Sequence, residues 1–150
     1  MPSTSETAIM VDQGDGNFRS LDNICMDGSG VFGFVQIEVP SMLEGAFKRE
    51  GKAVNDFDWF LFHQPNRFML QKLAEKASLP IEKLPMNLVE NFGNPSGASI
   101  PLTAIYNCKE DLLKKNNRCC LSAFGSGLAW GVVFMNIGKL EHCEMIESEL

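Results

Sequence analysis

A dense apolar run, Phe57 to Phe62, is bounded by Asp56 and His63 and constrains the fold more than any other stretch. Its six-residue length and aromatic content favour a buried strand over a helix. A buried strand needs cover, so helices must pack against the sheet that holds it. One such helix follows at once. Pro65 suits a first helical position, and Met69, Leu73 and Ala77 then recur every four residues until the break before Pro80.

The rest of the chain repeats this alternation. Thr7 to Val11 is a short β-prone run, ended by the turn-rich Asp12-Gln13-Gly14-Asp15-Gly16-Asn17. That turn loosely resembles a calcium loop, but its ligand spacing is wrong and no glutamate closes it. Val31 to Lys52 has a helical pattern, with a break or kink expected just before Pro40. Pro85 to Glu90 reads as a second strand, followed by the loop Asn91-Phe92-Gly93-Asn94-Pro95. Ser96 reads as the cap of the next helix, whose face carries Ile100, Ala104, Cys108 and Leu112. After Asn116-Asn117 come strands over Cys119 to Phe124 and Ala129 to Ile137, joined by Gly125-Ser126-Gly127. Strands alternating with helices and a closing hairpin give a layered α/β/α fold with a five-stranded mixed sheet.

Composition excludes several function classes. The chain has 150 residues, 45% of them apolar and 21% charged, which suits one globular domain with a real core. Its net charge is −6 and its cations are scattered, which argues against a nucleic-acid partner. No stretch approaches the ~20 consecutive apolar residues of a membrane span, and no signal peptide is visible. Five cysteines without regular spacing fit a reducing cytoplasm better than a disulfide framework. Cys119 and Cys120, adjacent on a strand, should face opposite sides of the sheet and bind no metal.

Catalytic groups in layered α/β folds gather where strands run into helices. His63 and Asn94 occupy two such junctions, and neighbouring strands would bring them to one edge of the sheet. Gly93 and Gly97 beside Asn94 would let a substrate approach the backbone. Each signal also has a plain structural reading: a histidine capping a strand end, a turn asparagine, a tight Gly-Ser-Gly hairpin.

Together the blocks resemble a known family. Asp58-Trp59-Phe60-Leu61-Phe62-His63-Gln64-Pro65-Asn66 resembles the "DWxxxHQxN" block of the ketoacyl-acyl-carrier-protein synthase III group, in the thiolase-like superfamily. Gly93-Asn94-Pro95-Ser96-Gly97-Ala98-Ser99-Ile100-Pro101 resembles its "GNxSxASxP" block. Ala123-Phe124-Gly125-Ser126-Gly127-Leu128-Ala129-Trp130-Gly131 resembles its "AFGxGxxWG" block. The three occur in the family's order, and the likeness runs from about Thr7 to Ile137.

The resemblance implies a thiolase-like half over residues 1–150, corresponding to the C-terminal domain of an acyltransferase of fatty-acid biosynthesis. The family's N-terminal half, which bears the nucleophilic cysteine, is not in this sequence. The implied reaction joins an acyl group from acyl-CoA to malonyl-acyl-carrier protein by decarboxylative Claisen condensation, with no cofactor and no metal. His63 and Asn94 are the implied catalytic donors, and the backbone N–H of Ser126 the implied oxyanion-hole donor. Phe124, Gly125 and Gly127 are the implied pocket wall. Arg67, Lys72 and Lys76 are candidates for contact with the acidic carrier protein. The implied partners are the N-terminal half, acyl-carrier protein, acyl-CoA and, in the full-length protein, a second copy in a homodimer. Pro65, Pro95 and Ser126 depart from the family's usual residues, and Pro95 stiffens the loop that aims Asn94.

Rival readings remain. The chain alone is a non-catalytic partner-binding module if its other half is separate, and related condensing enzymes of secondary metabolism share the same blocks. Cys25, His63 and Asn94 also follow the chain order of papain-like hydrolases. There, however, the His and Asn lie roughly 130–150 residues after the cysteine, in a different local sequence. Cys108, Cys119 and Cys120 read as core residues.

Overall fold

The computed structural model describes residues 3–23 and 26–146. The chain divides into two compact units, Met1–Val31 and Phe32–Leu150.

In the first unit, β1 (Val11–Asp12) pairs antiparallel with β2 (Phe18–Arg19). Asx bonds hold the connecting turn: Asp12 Oδ1 accepts the Gly14 N–H at 2.9 Å and Asp15 Oδ1 accepts the Asn17 N–H at 3.0 Å. The strand expected from Thr7 is shorter than the sequence suggests. Thr4 N–H donates to Thr7 Oγ1 at 2.7 Å, and that hydroxyl donates to Thr4 O at 3.0 Å. These local bonds compete with a ladder and hold the segment in a turn. Helix α1 (Gly28–Glu50) begins here, where Asp27 Oδ1 accepts the Gly30 N–H at 2.9 Å.

The second unit contains the rest of α1, β3 (Trp59–Phe62), α2 (Arg67–Ala77), α3 (Leu88–Phe92), α4 (Ser99–Lys114), β4 (Asn116–Gly125) and β5 (Ala129–Gly138). Its sheet has the order β3-β4-β5, with β3 parallel to β4 and β4 antiparallel to β5. Phe60, Leu61 and Phe62 are fully buried, as the apolar run requires. Burial of each contributes about 1.5–3 kcal/mol. Alternate residues face opposite layers. Leu61 packs with Ala104, Cys108 and Leu112 of α4, with Cys119 of β4 and with Cys143. On the other side Phe57 lies 5.8 Å from Phe60, 5.6 Å from Phe47 of α1 and 4.7 Å from Phe134 of β5, between ring centroids. Helix α4 therefore covers one face of the sheet and α1 the other.

Four expectations need correction. The mixed sheet has three strands and not five, and β1 pairs with β2 in a separate ribbon. Residues 85–90 are no strand. Pro85 offers no N–H for a ladder, its carbonyl is taken at 2.9 Å by the buried Gln64 side chain, and α3 starts at Leu88. Helix α1 passes through Pro40 unbroken. Its buried stripe, Val35, Val39, Leu43 and Ala46, runs on both sides of the proline, and that packing outweighs one lost bond. Finally, neither presumed helix start is in place. Pro65 precedes the true cap of α2, Asn66, whose side chain accepts from Met69 N–H at 2.8 Å. Ser96 opens a short 3-10 turn ahead of α4 and makes no side-chain cap bond.

Candidate active site

His63 is the residue after β3, and its backbone N–H continues the parallel ladder to Ser122 O at 2.8 Å. That bond fixes where the ring leaves the sheet. The imidazole is half-buried against Phe124 of β4, edge to face, with centroids 5.7 Å apart. Its Nδ1 lies 2.8 Å from Oγ of Ser99, the first residue of α4. Burial holds the His63 pKa below the ordinary imidazole value of 6.5, against a smaller opposing pull from the Ser96 backbone. The ring is therefore neutral at pH 7.

Asn94 sits on the 3-10 approach to the same helix. Its Oδ1 accepts the Ser96 N–H at 3.0 Å, which leaves its NH₂ pointing away, exposed and without a partner among the described residues. The loop needs unusual backbone here. Gly93 has φ 68° and ψ −157°, a conformation open in practice only to glycine, and Ser96 is left-handed at φ 51°. One turn, Ser96–Ala98, thus links the two candidate donors: Asn94 bonds its first N–H, and the His63 ring lies against its backbone.

The hairpin loop Ser126-Gly127-Leu128 joins β4 to β5, and Gly125 still pairs with Ala129. Gly127 has φ 143°, and a Cβ there would meet Ala129 N at 2.8 Å, so glycine is required. The N–H of Ser126 has no hydrogen-bond partner among the described residues. Phe124 is 6% exposed and touches the His63 ring, while Gly125 and Gly127 continue the same edge.

The three cations proposed to meet a partner all lie on α2. Arg67 is paired with Glu90 at 2.6 Å and Lys72 with Glu75 at 2.7 Å. Arg67 borders a cavity of about 340 Å³ that Trp59 and Asn87 also line, whereas Lys76 borders a different one of about 460 Å³ between α1 and α2. Neither of these two cavities reaches His63 or Asn94; with Asn94 and Ser126 exposed and His63 half-buried, the candidate site is an open edge.

Two contributors escaped the sequence reading. Gln64 is fully buried, and its Nε2 donates to Phe62 O at 3.1 Å and to Pro85 O at 2.9 Å, tying the end of β3 to the approach to α3. Ser99 is 1% exposed and meets the His63 ring. Its signal in sequence was its place as the second fixed serine of the "GNxSxASxP" block, which carries no hint of its partner.

The thiols of Cys108, Cys119 and Cys120 are not activated nucleophiles. Burial pushes Cys108 and Cys120 up to about 12 and Cys119 up to about 11. Cys119 lies in the cluster under α4, as the strand alternation requires. Cys25, the candidate of the hydrolase reading, lies outside the described residues. Among the described residues no three His, Cys, Asp or Glu side chains are grouped to hold a metal ion, and no helix is long and apolar enough to cross a membrane.

Residues 47–137 match the family model of the 3-oxoacyl-[acyl-carrier-protein (ACP)] synthase III C terminal. The chain is 35% identical over 114 residues to a beta-ketoacyl-[acyl-carrier-protein] synthase III of Porphyra umbilicalis, covering 76% of this chain and 35% of that one. A protein of the same name from Prochlorococcus marinus is 32% identical over 138 residues, 92% of this chain and 41% of its own. A solved 3-oxoacyl-(acyl-carrier protein) synthase from Burkholderia xenovorans superposes with a TM-score of 0.78 at 36% identity, over 82% of this chain and 35% of that one. The chain thus spans roughly two fifths or less of the length of these relatives.

Proposed function

The chain belongs to the 3-oxoacyl-[acyl-carrier-protein] synthase III C-terminal family, and on that premise we propose that it supplies half of a condensing site, completed by a cysteine-bearing half. The substrates are acyl-CoA and malonyl-acyl-carrier protein, and the place of work is a reducing cytoplasm. The observation that carries the reading is the neutral His63 ring, walled by Phe124 and linked to Asn94 through one turn.

The acyl group is first held as a thioester on the other half's cysteine. The malonyl carboxylate then leaves as carbon dioxide, and the electron pair of the broken C–C bond moves into the thioester as an enolate. Two donors face its oxygen: an N–H of His63 and the NH₂ of Asn94. Asparagine donates without titrating, and a neutral imidazole donates without giving up its proton. The enolate carbon attacks the acyl carbonyl, a C–C bond forms, and the oxyanion is held by the Ser126 N–H until the cysteine thiolate leaves. Phe124 excludes water from the carbanion. No cofactor is needed, because the thioester itself carries the charge. Arg67 and Lys72 serve the carrier protein, alongside Lys76, only if their carboxylate partners Glu90 and Glu75 give way.

The open edge supports the corollary that the isolated chain is a partner-binding half-site. Malonyl-carrier decarboxylation is expected to be absent for the chain alone and to appear when the cysteine-bearing half of a relative is supplied. In that complex His63→Ala and Asn94→Ala should each lower the rate by roughly two to three orders of magnitude. Turnover by the chain alone that disappears in Cys25→Ala would replace this reading with a self-contained cysteine enzyme.

A further inference from the structure

We propose that Ser99 is a positioning residue that donates its hydroxyl proton to Nδ1 of His63 and so keeps the ring's own proton on Nε2. The proposal rests on the reading of His63 as an N–H donor to the substrate, but its evidence is separate. Ser99 is 1% exposed, and its hydroxyl meets no described group other than His63 Nδ1, at 2.8 Å.

The direction of that bond follows from counting protons. A serine hydroxyl has one proton to give and two lone pairs to offer, and neutral imidazole has one N–H and one bare nitrogen. If Nδ1–H donated to Oγ, the buried serine proton would have no acceptor among the described residues. An unsatisfied buried donor is costly to leave. With Oγ–H donating to Nδ1, the proton and the lone pair are both used. The ring must then be protonated at Nε2, the nitrogen turned away from α4. The Ser96 carbonyl exerts a weaker pull toward the charged ring and already accepts the Ser99 N–H.

The helix makes the arrangement rigid. Ser99 is the first residue of α4, with φ −61° and ψ −42°, and the stripe behind it, Thr103, Ala104, Cys108 and Leu112, is buried. The hydroxyl is thus held by the core of the domain, whereas the loop it serves is exposed. Ser99 touches no substrate position and acts only through the ring.

The test reads the tautomer directly in the 150-residue chain with ¹⁵N-labelled histidine, by long-range ¹H–¹⁵N NMR. His142, at an exposed position, serves as the internal reference. The wild-type His63 is expected to show a bare Nδ1 and a protonated Nε2. Ser99→Ala should mix the two tautomers and raise the His63 pKa, since a donor to the bare nitrogen favours the neutral ring. Ser99→Thr, which keeps the hydroxyl, should restore the wild-type pattern. A wild-type ring protonated on Nδ1 overturns the proposal, and that measurement needs no variant to fold. An unchanged tautomer and pKa in a folded Ser99→Ala overturn it as well. Decarboxylation unaffected by His63→Ala would sink the functional reading while leaving the NMR result in place, so the two failures are distinguishable.

Discussion

The neutral state of His63 has a consequence for pH. Its pKa is lowered in the folded chain, because half-burial penalises the charged ring. The unfolded chain therefore binds a proton more readily between the ordinary value near 6.5 and the folded value. Stability from this residue is fully present above about pH 6.5 and is lost as pH falls through the folded value. Thermal unfolding should accordingly show a steeper loss below about pH 6.5 in the wild type than in His63→Gln. Parallel curves in the two proteins would contradict the burial account. The neighbouring loop carries strain of a different kind. A Cβ on Gly93 would meet no atom within 4 Å, so space is not what requires glycine there. The φ of 68° does, and it sets the direction in which Asn94 leaves the chain.

At the scale of elements, α1 holds an unused reserve of stability. Pro40 lies inside a 23-residue helix and withholds one backbone bond, yet the helix continues. Pro40→Ala should raise the unfolding free energy by about 1–3 kcal/mol, since the buried stripe on both sides already fixes the helix path. Denaturant unfolding at constant m-value checks this. The same helix shows why its course was misread in sequence. Proline is a strong local signal, whereas the packing of Val35, Val39 and Leu43 is non-local and outweighs it. Residues 85–90 taught the opposite lesson. Their short apolar pattern reads as strand, but a proline without a donor and a buried Gln64 claim the backbone.

For the whole molecule, the sheet ends in an unfinished edge. Strand β5 is the last of three, and Trp130, Val133 and Met135 along it are 43%, 57% and 45% exposed. An open strand ten residues long with apolar side chains invites pairing with another chain. The isolated chain should self-associate as its concentration rises, and Val133→Lys should suppress this in sedimentation velocity without loss of helix signal. Much of the candidate site was legible in the sequence: His63 and the Phe124 loop sit at strand ends, and Asn94 stands between Gly93 and Pro95, although the loop that carries it follows α3 and not the expected strand. The partner of Ser99 was not legible. Nothing in the chain near it reveals that a helix-face hydroxyl turns toward a strand 36 residues earlier. The single five-stranded sheet failed for a related reason: strand pairing is a long-range property, and the ribbon and the main sheet look alike locally.

Parallel pairing between β3 and β4 places Phe62 opposite Ser122, two residues before Phe124. The contact between Phe124 and imidazole is therefore a matter of register. Residues added beyond Gly125 lengthen a surface loop and leave that contact in place. A slip of one position within β4 exchanges Phe124 for Ala123 on the ring's side of the sheet. The turn can thus change in length, while the strand beneath it must keep its count.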